Sequence, residues 1–176
     1  MEDDDLMLGM FSIPDESSVN PRKYYDKLLA SCQEHAHLAD GEAVVDFLFV
    51  RDTIEMKGRE ILGSVHLPSV QGQLKNVFIW MIVNTFGRLP HFLVTLDKSY
   101  WNSCDERHQE ILIYHEMCHM IHKENKDGEL RFDMYGDPVW GIRGHDVEEF
   151  IQTVARYGAY SDDIREFINA AQKSGK

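Results

Sequence analysis

Within Tyr114-His115-Glu116-Met117-Cys118-His119, two histidines stand four residues apart and a glutamate follows the first. On a helix, residues i and i+4 share a face one turn apart, so His115 and His119 can offer two imidazole nitrogens to one ion. Glu116 projects beside them but is poorly placed as a third ligand from the same turn. That leaves it free to take a proton from water activated by a metal, the chemistry of a zinc site.

A catalytic zinc takes three protein ligands and keeps one position open, so a third ligand is expected downstream, after a loop that lets the chain turn back. Candidates cluster in Gly144-His145-Asp146-Val147-Glu148-Glu149-Phe150. His145 is favoured because it follows a glycine and opens a predicted helix; Glu148 and Glu149 are the alternatives. On that helix Glu148 shares a face with His145 and is placed to orient a ligating imidazole. His122 and His108 flank the motif, but three ligands from one straight helix would spread over about 10 Å. His35 and His37, spaced by two, face different ways and suit the negative end of a helix. Cys118 points largely away from the two histidines and reads as core.

The elements that must position these residues are a helix and what it packs on. Ser103 and Glu106 read as a capping box for the motif helix, with Asp105 and Glu106 suited to its positive end. Ile111, Leu112, Ile113, Met117, Met120 and Ile121 make it apolar on several faces, which predicts a buried helix. Upstream, Pro21 opens a helix over 21–38. Strands are expected at 44–50 and at 60–67, pairing antiparallel with each other, with Gly63 marking a bulge. A helix over 74–86 ends at Gly87, and a strand over 91–97 leads into the motif. Beyond His122 a polar arm runs to Pro138, and helices are expected over 145–157 and 162–172. This is an α+β chain: a small, mainly antiparallel sheet packed on a buried active-site helix, with flanking helices.

At 176 residues with 43% hydrophobic residues, the chain suits one globular domain. Residues 1–20, with two acidic clusters, read as a flexible arm, and 21–176 as a single domain. The acidic start lacks the basic region of a secretory signal, and no run of about 18 apolar residues predicts a membrane span. Three widely spaced cysteines (Cys32, Cys104 and Cys118) suit a reducing compartment, so a cytoplasmic location is expected. The net charge of −12, with no clustered cations, argues against general nucleic-acid binding.

The paired segments 114–119 and 145–150, with Arg156-Tyr157-Gly158 beyond them, resemble the phage metallopeptidase family. Its members read as a "HELCH" helix, where this chain has Met117, followed by an "HDVEEF…YG" helix. Phe47-Leu48-Phe49, Lys57-Gly58-Arg59, Leu62-Gly63-Ser64 and the lead-in from Phe92 to Trp101 also fit, so the likeness covers about residues 40–160. More distantly, Gly144-His145, Glu148 and Phe150 are similar to the third-ligand segment of SprT-like proteases. Many of those carry basic DNA-binding regions or a zinc ribbon, and this chain has neither.

The resemblance implies a zincin-like fold, one Zn²⁺ per chain held by His115, His119 and His145, Glu116 as general base, and peptide or protein substrates, with a host protein among the candidates. A host-cytoplasm location follows for a phage-encoded chain. His122, Tyr135 and Tyr157 are candidates to assist the oxyanion. The competing reading is a non-catalytic binding protein that uses the same scaffold and engages a host protein through its acidic surface.

Overall fold

The computed structural model describes residues 9–16, 19–56, 58–148 and 151–174. The chain mixes helices with small sheets and forms two compact units, Met1–Arg143 and Gly144–Lys176.

The first unit is built on a four-stranded sheet. Val45–Val50 (β2) and Phe92–Asp97 (β6) run parallel at its centre, in register from Val45 opposite Phe92 to Val50 opposite Asp97. Phe11–Ser12 (β1) adds antiparallel to β2, and Gly63–His66 (β5) adds antiparallel to the other side of β6. A parallel pair needs a long crossover, and residues 51–91 supply it. They hold a separate hairpin, Ile54–Met56 (β3) with Arg59–Ile61 (β4), then β5, then the helix Lys75–Phe86 (α3). Gly87, at φ 71°, ends α3 in the left-handed region that glycine adopts without penalty.

Two expectations change here. The strand expected over 60–67 is split at Leu62, whose carbonyl accepts from Asp97 N–H at 2.9 Å. Its second half pairs with β6, not with the strand at 44–50. The central position beside β2 goes to β6, so β2 pairs across the crossover and not with the strands that directly follow it in sequence.

Side chains alternate across a strand. Val45, Phe47 and Phe49 of β2, with Phe92, Val94 and Leu96 of β6 and Val65 of β5, join one core cluster. Helices Pro21–Ser31 (α1), Ala36–Asp40 (α2), Lys98–Ser103 (α4) and Glu106–His119 (α5) contribute Tyr25, Leu28, Leu38, Trp101, Leu112, Ile113 and Met117 to it. A fully buried side chain of this kind contributes roughly 1.5–3 kcal/mol. Polar contacts fix how α5 sits on the rest. Gln109, itself buried, donates to Trp101 O at 2.8 Å and accepts from Tyr24 O–H at 2.7 Å. Tyr114 O–H donates to Glu34 Oε1 at 2.7 Å, which pushes the phenol up to about 12.

After α5 the chain reverses into Met120–His122 (β7), which pairs antiparallel with Trp140–Ile142 (β8). Isolated bridges, Glu124 with Leu130 and Phe132 with Pro138, extend this polar arm.

The second unit holds Ile151–Tyr157 (α6), ended by Gly158 at φ 70°, and Asp162–Ser174 (α7). The helix expected from His145 does not begin there: residues 145–148 are not helical. His, Asp and Val are weak helix formers, and the apolar spacing from Val147 to Val154 does not offset that. Glu148 therefore does not share a helical face with His145. Glu149 and Phe150 lie outside the described residues.

Candidate metal centre

The motif helix starts two residues later than its expected capping box suggests. Asp97, at the end of β6, accepts from Tyr100 N–H at 2.7 Å and caps α4. Ser103 is thereby the last residue of α4, its hydroxyl donating to Tyr100 O at 3.0 Å. The cap of α5 is Asp105, which accepts from His108 N–H at 2.9 Å. Such a cap contributes about 1 kcal/mol. His108 is held at this N-terminal end, its ring 2.7 Å from Asp105 Oδ1, and takes no part in the site.

The other end of α5 carries the two motif histidines. His115 is exposed and His119 half-buried, and their Nε2 atoms lie 3.3 Å apart. His119 Nδ1 lies 2.8 Å from Arg143 O. A carbonyl only accepts, so Nδ1 carries the proton and Nε2 is left with its lone pair, turned toward His115. Two zinc–nitrogen bonds of about 2.05 Å at a tetrahedral angle separate their nitrogens by about 3.3 Å. The spacing of this pair and the tautomer imposed on His119 thus fit a zinc ion.

Arg143 does more than orient one ring. Its N–H donates to His119 O at 3.0 Å, and its guanidinium Nε donates to Cys118 O at 2.7 Å. These bonds satisfy carbonyls that a helix C-terminus leaves without intrahelical partners, and the cation suits the negative end of the dipole. Nothing in the composition singles out Arg143; only a basic residue returning to the end of the motif helix, 24 positions after His119, would have pointed to it.

Glu116, between them in sequence, is buried in the protein. It is 3% exposed, its Oε2 has no hydrogen-bond partner, and burial pushes its carboxyl up to about 7. The reason it fits is Gly63. A β-carbon at that position would lie 2.4 Å from Glu116 Oε1 and 2.9 Å from Cδ. Gly63 therefore marks a close approach between β5 and α5. A glycine inside a strand signals either a bulge or such an approach, and here it is the approach.

His122 lies in β7, not on the helix, with Nε2 2.7 Å from Arg131 O and its ring against Phe132 and Trp140. His35 is buried against Tyr114, and burial lowers its pKa from the ordinary histidine value. His37 Nε2 lies 2.9 Å from Met120 O. Tyr135 is exposed on the polar arm. Cys32, Cys104 and Cys118 form no disulfide. His145 and Glu148 are exposed in the irregular start of the second unit, and Tyr157 ends α6.

A family model described as "Putative phage metallopeptidase" matches residues 16–172. The chain belongs to this family. The match takes in the His-Glu-x-x-His helix and the segment from Gly144 onward. Phage metallopeptidases, by that description, are metal-dependent hydrolases of peptide bonds. No curated protein and no solved structure matches the chain. Among the described residues, no helix is long and apolar enough to cross a membrane.

Proposed function

We propose that this phage metallopeptidase is a zinc-dependent peptidase with a zincin-like arrangement, one Zn²⁺ per chain, and Glu116 as general base. The carrying observation is the His115–His119 pair, with nitrogens 3.3 Å apart, next to a buried carboxylate without a partner. His115, His119 and His145 hold the metal. Arg143 supports the third assignment. It is fastened to the last turn of α5, and His145 follows two residues later. Two extended residues span about 7 Å, and Gly144 leaves the backbone between them free to turn.

Zinc in such a set supplies a Lewis acid that acidifies water and polarises a carbonyl. Glu116 removes the proton of the attacking water and returns it to the leaving amine. A carboxyl raised toward neutrality by burial is suited to both transfers. Gly63 leaves the space that the carboxylate occupies. The Arg143 carbonyl keeps His119 in the tautomer that presents Nε2. Glu148 is the alternative third ligand, with Glu149 beside it in sequence.

The test is Glu116→Gln in zinc-loaded protein, with a peptide library as substrate. The variant keeps zinc and loses hydrolysis by about 10²–10⁴-fold, the usual contribution of a general base. Full turnover in the variant would refute the role. A partner bound equally by wild type and variant, with the same biological outcome, would favour the non-catalytic binding protein.

A further inference from the structure

On the face of the sheet away from the core, at the carboxyl ends of β2 and β6, lies a cavity of about 230 Å³. Val50, Ile54, Met56 and Ile61 give it aliphatic walls, with the β3–β4 hairpin as one side. Gly63, Ser64, His66, Thr95 and Asp97 add to the lining. A dry cavity of about 150 Å³ accepts benzene, so this one has room for a side chain with a long aliphatic stem.

Its polar groups are unequal. Thr95 and His66 are engaged with each other, Oγ1 to Nε2 at 3.2 Å. Burial lowers the pKa of His66 from the ordinary histidine value, so the ring adds no positive charge near neutrality. Asp97 differs. It is 4% exposed; Oδ1 accepts from Tyr100 N–H, while Oδ2 is buried with no partner in the protein. A buried carboxylate oxygen without a donor is costly, and a cation or strong donor removes the penalty.

The cavity also adjoins Glu116. Gly63 lines it and abuts Glu116 Oε1, and Asp97 N–H bonds the carbonyl of Leu62, the residue before Gly63. One strand backbone separates the two. We propose that this cavity is a specificity pocket for a lysine or arginine side chain of a peptide substrate, with its stem against the aliphatic walls and its head on Asp97. Lysine and arginine carry just this combination of apolar stem and cationic head. The inference rests on the peptidase reading for its substrate, but not for its test.

The test measures binding, not turnover. Full-length zinc-loaded protein is titrated with N-acetyl-lysine amide, N-acetyl-arginine amide and N-acetyl-norleucine amide. Backbone amide shifts of Ser64, Thr95 and Asp97 are followed by NMR. The cationic probes bind at least about tenfold more tightly than norleucine, the order expected for one charge-assisted hydrogen bond. Asp97→Asn keeps the acceptor that caps α4 and abolishes that preference. Met56→Lys, at a position 60% exposed on the hairpin, places a competing ammonium at the mouth and weakens the cationic probes without touching the core. Equal binding of lysine and norleucine by wild type, or a preference that survives Asp97→Asn, overturns the pocket. Hydrolysis of peptides with no basic preference overturns it too, while leaving the peptidase reading intact.

Discussion

Glu116→Gln should stabilise the metal-free protein at alkaline pH and not at acid pH. The carboxyl is raised from 4.5 to about 7 by burial. A group whose folded pKa lies above its unfolded value binds its proton more tightly in the folded state. Its contribution is therefore fully present below the unfolded value and is lost as pH rises through the folded one. A shift of about 2.5 units corresponds to about 3 kcal/mol in all, and roughly 2.5 kcal/mol of it falls between about pH 5 and pH 8.5. Glutamine cannot ionise, so the variant escapes this loss. Any constant penalty for burying an amide drops out when the two pH values are subtracted. Urea unfolding of chelator-treated wild type and Glu116→Gln at the two pH values measures the difference directly. Stability of wild type relative to the variant should fall by about 2.5 kcal/mol on going to the higher pH, worth roughly 5–10 °C in melting temperature for a chain of this size. A gap that does not change with pH, or one that moves in favour of wild type, would refute the assignment of a neutral buried carboxyl.

Gly63→Ala forces a methyl within 2.4 Å of the Glu116 carboxylate. It should cost about 1–3 kcal/mol by overpacking and depress hydrolysis while zinc content holds, read by denaturant melts and metal analysis. Asp105→Ala removes the cap of α5 and should cost about 1 kcal/mol, whereas Ser103→Ala, at the end of α4, should cost less than half of that; parallel thermal melts compare them. Arg143→Ala leaves the backbone carbonyl that orients His119 but removes the guanidinium bond to Cys118 O. A drop in zinc affinity of about 10–100-fold is expected by analogy with the loss of outer-shell support, measured by competition with a chromogenic chelator.

The motif helix was legible because its signal is local. Two histidines at i and i+4 among apolar residues specify a helix and a face without reference to the rest of the chain. Its start was misread for an equally local reason: Ser103 and Asp105 both have cap chemistry, and the choice depends on Asp97, which caps a short helix that sequence spacing presents only as a lead-in. Strands at 44–50 and 91–97 were recognisable from β-branched and aromatic content, but their parallel pairing was not, since the partner is set by which apolar faces meet across a crossover of some forty residues. Gly63 was visible as an anomaly in a strand; only the position of Glu116 decides between a bulge and a close approach. The helix expected from His145 failed because an apolar stripe beginning at Val147 carries no information about where the first turn closes.

The account turns on which residues hold the metal. Zinc content of the purified, reconstituted protein should be measured for wild type, His145→Ala and Glu148→Ala under the same conditions. About one zinc per chain in wild type, lost in His145→Ala and kept in Glu148→Ala, is the result predicted for a three-histidine site. No zinc in wild type after reconstitution at neutral pH would contradict it, and zinc kept in His145→Ala but lost in Glu148→Ala would replace it with a His-His-Glu site.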